Sequence, residues 1–267
     1  MRPPEELDEL VCPMSRGALE RKGTALHCPD SGRSYPIRAD WIDFLPGQEE
    51  DSHSVASALM HLPAFARFYE GYWRPTFVSV TRGERSDIER EMGWIERELD
   101  DARGGKILDL SCGPGTVGRR LSMRGQFERV FLLDHSEAML SQAARFVEDD
   151  GLEDVWIVRA DGAYLPFADG SLDAVHAGHA MYLWENPDHV LSEVARVLRP
   201  GGVFVASTFV VEDEGVRDVA IKAMAAVSRM EVTPEQVLRN RCEAMGLKEY
   251  RANRQGQMVR FRVERSA

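Results

Sequence analysis

Short apolar runs alternate with amphipathic segments through the second half of the chain. Four runs have the length and composition of buried strands, at residues 106–111, 129–134, 155–161 and 172–178. A fifth, "VFVASTF", follows "RPGG", which ends the preceding helix. Between the runs, "SEAMLSQAARFVEDD" and residues 187–198 carry apolar side chains at helical spacing. Strands that are apolar on both faces and alternate with helices indicate a parallel sheet covered on both sides.

The two ends of the chain depart from this alternation. Near the C-terminus "MVRFRVER" alternates apolar and charged residues, which is typical of an antiparallel strand, and "LKEYRAN" is its expected hairpin partner. We predict an α/β, Rossmann-like domain over residues 104–267, mostly parallel with an antiparallel C-terminal strand. A helical cap over residues 51–103 and a small, turn-rich segment over residues 1–50 precede it.

Composition narrows the classes of protein to which the chain could belong. Its 267 residues carry a net charge of −11 and are 43% hydrophobic, enough for a packed core. An acidic chain repels phosphate backbones, so nucleic acid is a disfavoured partner. No window approaches the roughly 18 apolar residues of a membrane span, and the N-terminus does not resemble a secretory signal. We therefore expect a soluble, cytoplasmic protein without a disulfide framework.

A glycine-rich loop follows the first predicted strand. In "SCGPGTVG", Gly113, Gly115 and Gly118 fit the pattern GxGxxG, which lets the backbone approach a ligand at the start of a helix. Asp134 ends the second strand, where a carboxylate can accept hydrogen bonds from a ribose. Alone, these residues predict either a dinucleotide site or a tight strand-to-helix turn.

Two further carboxylates favour a different ligand. Asp109 lies in the strand just before the loop, where it suits an amino-bearing, cationic ligand better than a pyrophosphate. Asp161 ends the third strand and could accept a hydrogen bond from an exocyclic amine such as that of adenine. Together with the antiparallel last strand, these positions argue against NAD.

Four segments together resemble a known family. "ILDLSCGPGTVG", "VFLLDHSEAML", "VRADGAYLPFADGSLDAVHAG" and "EVARVLRPGGVFVAST" are similar in order and spacing to the motifs of class I S-adenosylmethionine-dependent methyltransferases, over about residues 104–263. The phrases "DAVHAG…W…P" and "FYEGYWR" are most similar to a group of plant plastid methyltransferase-like proteins. The resemblance implies S-adenosylmethionine as cofactor and methyl transfer as the reaction.

The resemblance also implies which residues bind the methionine half of the cofactor. The backbone around Ser111, Gly113 and Gly115 would wrap it, and Asp109 would orient both that loop and the amino group. Ala177, just past the fourth strand, would offer its carbonyl to the amino group. Ser111 departs from the family, which usually has glycine there.

A second set of residues is implied for the adenosine half. Asp134 would hold both ribose hydroxyls, and His135 and Met139 would line the adenine. Asp161 and the amide of Gly162 would contact the adenine edge.

The N-terminal segment resembles the zinc ribbons that precede several such methyltransferase domains. The usual pair of CxxC turns reads here as Cys12…Ser15 and Cys28…Ser31. Because serine is a poor zinc ligand and His27 is badly placed to help, we predict a ribbon without metal. A Cys12–Cys28 disulfide is not expected in a reducing compartment. The hairpins would be held by apolar side chains: Leu10, Leu26, Tyr35, Ile37, Trp41 and Phe44.

The acceptor side of the site is less defined by sequence. Most of the aromatic patch in the cap should be core, but Tyr69, Trp73 and Arg74 are candidates to face the cavity. His179 leaves the fourth strand at the methionine end and would share a face with Tyr182 if that turn is helical. It is a candidate base, or else it only lines the cofactor pocket or hydrogen-bonds the backbone. Its neighbour His176 should pack within the sheet, so the two histidines are not a metal pair.

These observations predict a methyltransferase acting on a small-molecule acceptor. Two alternatives stay open: a ribosomal-RNA guanine methyltransferase, which shares the ribbon-first layout, and a protein of this fold that binds the cofactor without methylating. The acceptor and the oligomeric state are not predicted.

Overall fold

The computed structural model describes residues 8–47, 55–76, 87–211, 225 and 230–267. The strands within these ranges are β1 (Glu20–Lys22), β2 (Ala25–His27), β3 (Ser34–Pro36), β4 (Ile42–Asp43), β5 (Lys106–Leu110), β6 (Arg129–Asp134), β7 (Val155–Arg159), β8 (Leu172–Gly178), β9 (Leu198–Phe209), β10 (Leu247–Gln255) and β11 (Met258–Arg265). The α-helices within them are α1 (Val55–Met60), α2 (Pro63–Phe68), α3 (Ile88–Glu98), α4 (Thr116–Met123), α5 (Glu137–Asp149), α6 (Pro187–Val197) and α7 (Glu235–Ala244).

Eight of these strands form one sheet, in the order β10-β11-β9-β8-β5-β6-β7-β4. The six strands from β9 to β4 are parallel, whereas β11 pairs antiparallel with both β9 and β10. Strands β1, β2 and β3 form a separate antiparallel sheet. The predicted Rossmann-like architecture and the antiparallel C-terminal hairpin are therefore confirmed.

Alternate residues of the central strands enter two separate core clusters, one on each face of the sheet. In β5, Leu108 and Leu110 join a cluster that includes α6 and the N-terminal segment, while Ile107 joins a second cluster with α3, α4 and α5. This explains why the strands read as continuous apolar runs, since both of their faces are covered.

Two helix starts follow the sequence signals. Asn186 caps α6 by accepting a hydrogen bond from the backbone N–H of His189 at 3.1 Å, with Pro187 in the first turn. Ser136 caps α5 in the same way through the N–H of Met139. The "RPGG" segment differs from the prediction because it lies inside β9, where Gly201 has φ +74° and the pairing with β8 shifts register.

The N-terminal ribbon extends the central sheet. Its last strand, β4, pairs in parallel with β7 and forms one edge of the sheet. An antiparallel bridge joins Leu10 to Phe167, and Lys106 contacts Glu9 at 2.5 Å. Of the six side chains predicted to hold the ribbon, Trp41 packs against the core cluster that contains α3, α4 and α5. The other five lie in or against the cluster on the opposite face of the sheet: Leu10, Leu26, Tyr35, Ile37 and Phe44.

The region predicted as a cap divides into two parts. Helices α1 and α2 and the π-helical turn Tyr69–Trp73 lie near α5, whereas α3 buries Met92 and Ile95 against the sheet. Within the described ranges, no helix is long and apolar enough to cross a membrane.

Candidate functional site

A cavity of about 620 Å³ opens at the carboxyl ends of the parallel strands. Segments that follow β5, β6, β7 and β8 form most of its wall, and residues from the cap close one side. In open α/β sheets this edge is where ligands bind, beside the strand at which the order reverses. Here that strand is β5, which lies between β8 and β6.

The glycine loop after β5 has a backbone conformation that most residues avoid. Ser111, Gly113 and Gly115 have φ of +55°, +56° and +76°, in the left-handed region. Gly118 is required for packing, because a Cβ at that position would lie 2.3 Å from a methyl group of Leu132. Ser111 and Gly113 line the cavity, and Gly115 lies behind them as the N-cap of α4.

Asp109 holds this loop from inside the fold. One carboxylate oxygen accepts a hydrogen bond from the N–H of Gly118 at 2.9 Å, and the other lies 2.7 Å from Nδ1 of His176. Asp109 is 2% exposed and is not part of the cavity wall. Both Asp109 oxygens are thus engaged within the protein, where they hold the loop, and the part of Asp109 in orienting the cofactor's amino group stays a prediction.

The acidic residue after β6 is also fixed by backbone donors. Asp134 accepts hydrogen bonds from the N–H groups of Gly113 at 2.8 Å and Ser136 at 3.0 Å. Burial raises the pKa of Asp134, and these hydrogen bonds oppose that rise. Burial also lowers the pKa of His135, so its imidazole favours the neutral form. Asp134 and His135 both line the cavity.

Two segments, α5 and the turn after β7, meet on the side predicted to bind adenine. Met139, Asp161 and Gly162 all line the cavity. Asp161 accepts a hydrogen bond from the N–H of Ala163 at 2.8 Å, which fixes the turn after β7. Their roles toward the cofactor stay predictions.

The cavity-lining residue at the end of β8 is one position later in the chain than expected. Ala177 is fully buried and outside the cavity wall, and Gly178 lines the cavity in its place. Further along, Trp184 lines the cavity and its indole nitrogen donates to the hydroxyl of Ser111 at 3.1 Å. The tryptophan belongs to the phrase that carried the family resemblance, but nothing in the sequence indicated this contact.

His179 is held by a buried ionic network. It has φ +57°, and its N–H donates to the backbone oxygen of Ser207 at 3.0 Å. Its Nε2 lies 3.2 Å from Oε1 of Glu91, which also accepts a hydrogen bond from Arg74 at 2.9 Å. Glu91 is 2% exposed and Arg74 is 8% exposed.

Two of the three predicted cap residues can be placed. Tyr69 lines the cavity opposite the glycine loop, together with His179 and Tyr182. Arg74 does not line it, because its guanidinium is turned to Glu91, which corrects the expectation that it faces the cavity. The side chain of Trp73 lies outside the described residues.

Tyr182 is chemically a hydrogen-bonding group and not a base. Burial first, and the nearby Tyr69 second, raise the pKa of its phenol well above the ordinary value. A phenol that stays protonated at neutral pH can donate a hydrogen bond but cannot accept a proton from an acceptor. Of the two predicted catalytic residues, only His179 therefore remains a candidate base.

Several wall residues were not identified from the sequence. His61 packs edge-on against His135 with ring centroids 5.6 Å apart, and Tyr164 packs in the same way against His189 at 5.1 Å. Single histidines and tyrosines in loops give no periodic signal, so only the fold brings them together.

The two cysteine turns of the ribbon face each other as the resemblance implied. Cys12 Sγ lies 3.3 Å from the hydroxyl of Ser31, and Ser15 Oγ lies 3.3 Å from Cys28 Sγ. Burial alone would raise the pKa of Cys12, but hydrogen bonds with Ser15, Ser31 and Tyr35 outweigh it and lower the pKa to about 6. Cys12 and Cys28 are not joined by a disulfide. Each cysteine of one turn thus pairs with the serine of the other turn, at the position where a zinc ribbon would hold its metal.

Comparisons with known proteins agree with two parts of this arrangement. A family model described as a methyltransferase domain matches residues 107–202, and one described as a Trm112p-like protein matches residues 7–40. The first covers the cofactor side of the cavity and the second covers the ribbon.

Relatives of known sequence match much of this chain at 33% to 36% identity. Two Arabidopsis thaliana proteins, each named an uncharacterized chloroplastic methyltransferase, are 33% and 36% identical over 77% and 70% of this chain. This chain spans 63% and 54% of their lengths. A phosphatidylethanolamine N-methyltransferase of Cereibacter sphaeroides is 36% identical over 62% of this chain and 78% of its own length.

A solved structure shows the same fold at lower identity. In a complex of the Haloferax volcanii Trm112 methyltransferase activator with a putative methyltransferase, one chain matches with a TM-score of 0.59 and 20% identity. The match covers 77% of this chain and 97% of that one.

The names of the two plant relatives bear on location. Both are named chloroplastic, and this contradicts the cytoplasmic location expected from the sequence. Composition does not distinguish the two compartments, which is why the expectation was wrong.

Proposed function

Because the chain belongs to the class I S-adenosylmethionine-dependent methyltransferases, we propose that it transfers the methyl group of this cofactor to a small-molecule acceptor. The size of the cavity carries the proposal. About 620 Å³ lies within the usual range of small-molecule sites, roughly 300–1,000 Å³, and one wall is shared by cofactor-side and acceptor-side residues.

The donors in the wall fit the cofactor. The loop of Ser111 and Gly113 leads into the N-terminus of α4, and the carboxylate of Asp134 is fixed beside it. Three described wall residues are acidic (Asp134, Asp161 and Glu185), and none is lysine or arginine. Such a wall suits a ligand that carries a positive sulfonium and an amino group.

S-adenosylmethionine supplies, when bound, an electrophilic methyl group on a sulfonium. The protein's own work is to bind, orient and exclude water. Asp134 would hold the ribose, Asp161 and Gly162 the adenine edge, and Ser111, Gly113 and Gly178 the methionine end.

His179 would accept the acceptor's proton. It lies on the cavity wall with Tyr69 and Tyr182, and the buried Glu91 fixes its Nε2. As the acceptor oxygen or nitrogen bonds to the methyl carbon, the bond from that carbon to sulfur would break and leave S-adenosylhomocysteine. The acceptor's proton would pass to the imidazole. Positioned bases of this kind contribute about 10²–10⁴-fold to rate.

The composition of the cavity wall also favours a small molecule over an RNA substrate. Phosphate backbones are bound through lysine and arginine, and the described wall residues include neither. The net charge of −11 acts in the same direction.

Calorimetry with S-adenosylhomocysteine and with NADH tests the cofactor assignment. We expect micromolar or tighter binding of the former alone, and no such binding would overturn the proposal. Incubation with methyl-labelled cofactor and either metabolite extract or ribosomal RNA then tests the acceptor. Label in a small molecule supports the proposal, label in RNA favours the RNA methyltransferase, and tight binding without any transfer favours a non-methylating role.

A further inference from the structure

Arg159 is a buried arginine that the proposed reaction does not use. It is the last residue of β7, is 2% exposed, and does not line the cavity. Removing a guanidinium from water is costly unless it is paired and hydrogen-bonded. Its partners therefore indicate what it does.

The guanidinium joins the ribbon to the loop after β6. Its Nε donates to the backbone oxygen of His135 at 3.1 Å. Its Nη1 donates to the backbone oxygen of Leu45 at 3.0 Å and to the carboxylate of Asp43 at 3.3 Å. Glu137 lies 3.1 Å from the same nitrogen and is 48% exposed.

The ribbon holds its side of this contact rigidly. Asp43 ends β4 and is fully buried. One of its oxygens accepts a hydrogen bond from the N–H of Leu45 at 3.0 Å, and the other accepts one from Arg38 at 3.0 Å. The N–H of Phe44 donates to the backbone oxygen of Arg159 at 2.9 Å, so side chain and main chain dock together.

The other side of the contact is part of the cofactor site. His135 lies between Asp134 and Ser136, and all three line the cavity. The peptide unit whose oxygen Arg159 holds also carries the N–H of Ser136, which donates to the Asp134 carboxylate, and that carboxylate in turn accepts from Gly113. The planar guanidinium holds a peptide oxygen through Nε and a carboxylate through Nη1 in one fixed geometry, whereas a lysine would have to serve both from a single nitrogen.

We propose that the ribbon completes the cofactor site: Asp43 positions Arg159, and Arg159 positions the loop 134–136 that binds the adenosine half. Without the Asp43 charge, Arg159 retains only Glu137 as an anionic partner among those described and turns toward it, which releases the oxygen of His135. Asp43 and Arg159 are positioning residues, since neither lines the cavity. The inference rests on the proposed cofactor site but not on any acceptor.

The test uses the full chain and two probes, S-adenosylhomocysteine and 5′-methylthioadenosine, which lacks the amino acid part. Asp43→Asn keeps the shape of the side chain and removes its charge. We expect calorimetry to show about tenfold weaker binding of both probes by the same factor, because the altered loop contacts only their shared adenosine half.

Arg16→Gln is the matched control. It breaks another contact between the ribbon and the main domain, the 3.2 Å ion pair of Arg16 with Glu193, without touching Arg159. We expect its affinity for both probes to stay within twofold of wild type. A loss equal to that of Asp43→Asn would overturn the inference, because ribbon docking in general would then be responsible.

Arg159→Lys provides a second variant that keeps the charge. Binding of both probes should become severalfold weaker while the melting temperature falls little. The single nitrogen of lysine cannot reproduce the separate hydrogen bonds of Nε to the His135 oxygen and of Nη1 to the Leu45 oxygen. Wild-type affinity in both Asp43→Asn and Arg159→Lys would overturn the inference and leave the proposed function intact. A wild-type protein that binds neither probe would overturn both.

Discussion

Nδ1 of His176 lies 2.7 Å from Oδ1 of Asp109, and both side chains are at most 3% exposed. The pair joins neighbouring strands β5 and β8 directly beneath the glycine loop. Because the second Asp109 oxygen holds the N–H of Gly118, the histidine acts on the loop through the aspartate.

Replacing His176 should damage both stability and cofactor binding. His176→Leu leaves a buried carboxylate oxygen without this partner, so we expect the free energy of unfolding to fall by about 2 kcal/mol. The affinity for S-adenosylhomocysteine should fall with it. Urea denaturation and calorimetry measure the two effects. His27→Leu, which removes an exposed hydrogen bond to Ser34, is the control and should change stability by less than about 0.5 kcal/mol. Equal effects of the two variants would contradict the buried pairing.

Replacing Ser111 by alanine should destabilise the protein more than replacing it by glycine. Both variants lose the contact with Trp184, but only glycine relieves the backbone at φ +55°. We expect Ser111→Ala to be less stable than Ser111→Gly by about 1 kcal/mol. Urea denaturation of the two variants, with Trp184→Phe as the control for the lost contact, measures the difference. If alanine proved as stable as glycine, the left-handed conformation at this residue would be wrong.

His179→Ala should reduce turnover far more than cofactor affinity. We expect kcat to fall by about 10²-fold or more while the Kd of S-adenosylhomocysteine changes less than threefold. Glu91→Gln should reduce kcat less, since the imidazole remains but its orientation is loosened. His27→Ala removes a histidine of the ribbon that does not line the cavity, and it should leave kcat near wild type. Unchanged turnover of His179→Ala would eliminate it as the base.

Cofactor affinity should fall as the pH is lowered, and the fall should begin at a higher pH than it would for an aspartate with an ordinary pKa. Ribose hydroxyls donate to the ionised carboxylate of Asp134, whose pKa is raised by burial above the usual value of about 3.9. Protonation on lowering the pH through that raised pKa therefore removes an acceptor and weakens binding. Calorimetry with S-adenosylhomocysteine between pH 5 and 8 checks this.

The imidazoles of His61 and His135 also lie on the cavity wall beside Asp134, so the variant Asp134→Asn separates the contribution of the carboxylate from theirs. It should bind weakly at every pH and lose most of the decrease in acid. A full decrease in the variant would assign the pH dependence to the histidines.

Two substitutions in the ribbon should create a zinc site. Ser15→Cys with Ser31→Cys places four thiols on two turns whose side chains already meet at 3.3 Å. Four thiolates form a closed tetrahedral zinc site, whereas two do not. We expect one zinc per chain by metal analysis and a melting temperature that falls on chelation. The single variant Ser15→Cys is the control and should retain less zinc. A double variant without zinc would show that the turns lack the spacing of a ribbon site.

The sequence predicted local patterns and left long-range pairings undetermined. Alternation of apolar runs predicted the parallel sheet, and the strict pattern around Phe261 predicted the antiparallel last strand. Asp109 and His176 were each singled out, but their contact depends on β5 lying beside β8, which periodicity does not specify. Arg159 stands alone in an apolar run, so its partners 114 and 116 residues away could not be inferred. Ala177 was placed one residue from the wall residue, Gly178, because strand ends are set by tertiary packing.

The docking of β4 on β7 also affects the order in which the molecule can fold. Asp43 and Arg159 are 116 residues apart in the chain, so closing this contact has a large entropic cost that local contacts do not share. The hairpins of the ribbon can form as soon as they are synthesised, but their apolar side chains remain uncovered until β7 emerges from the ribosome. The hairpins of the ribbon are therefore made before β5, β6 and β7, and β4 docks only after those three strands have been made. During that interval its exposed apolar surface is a place where a nascent chain would need protection from aggregation.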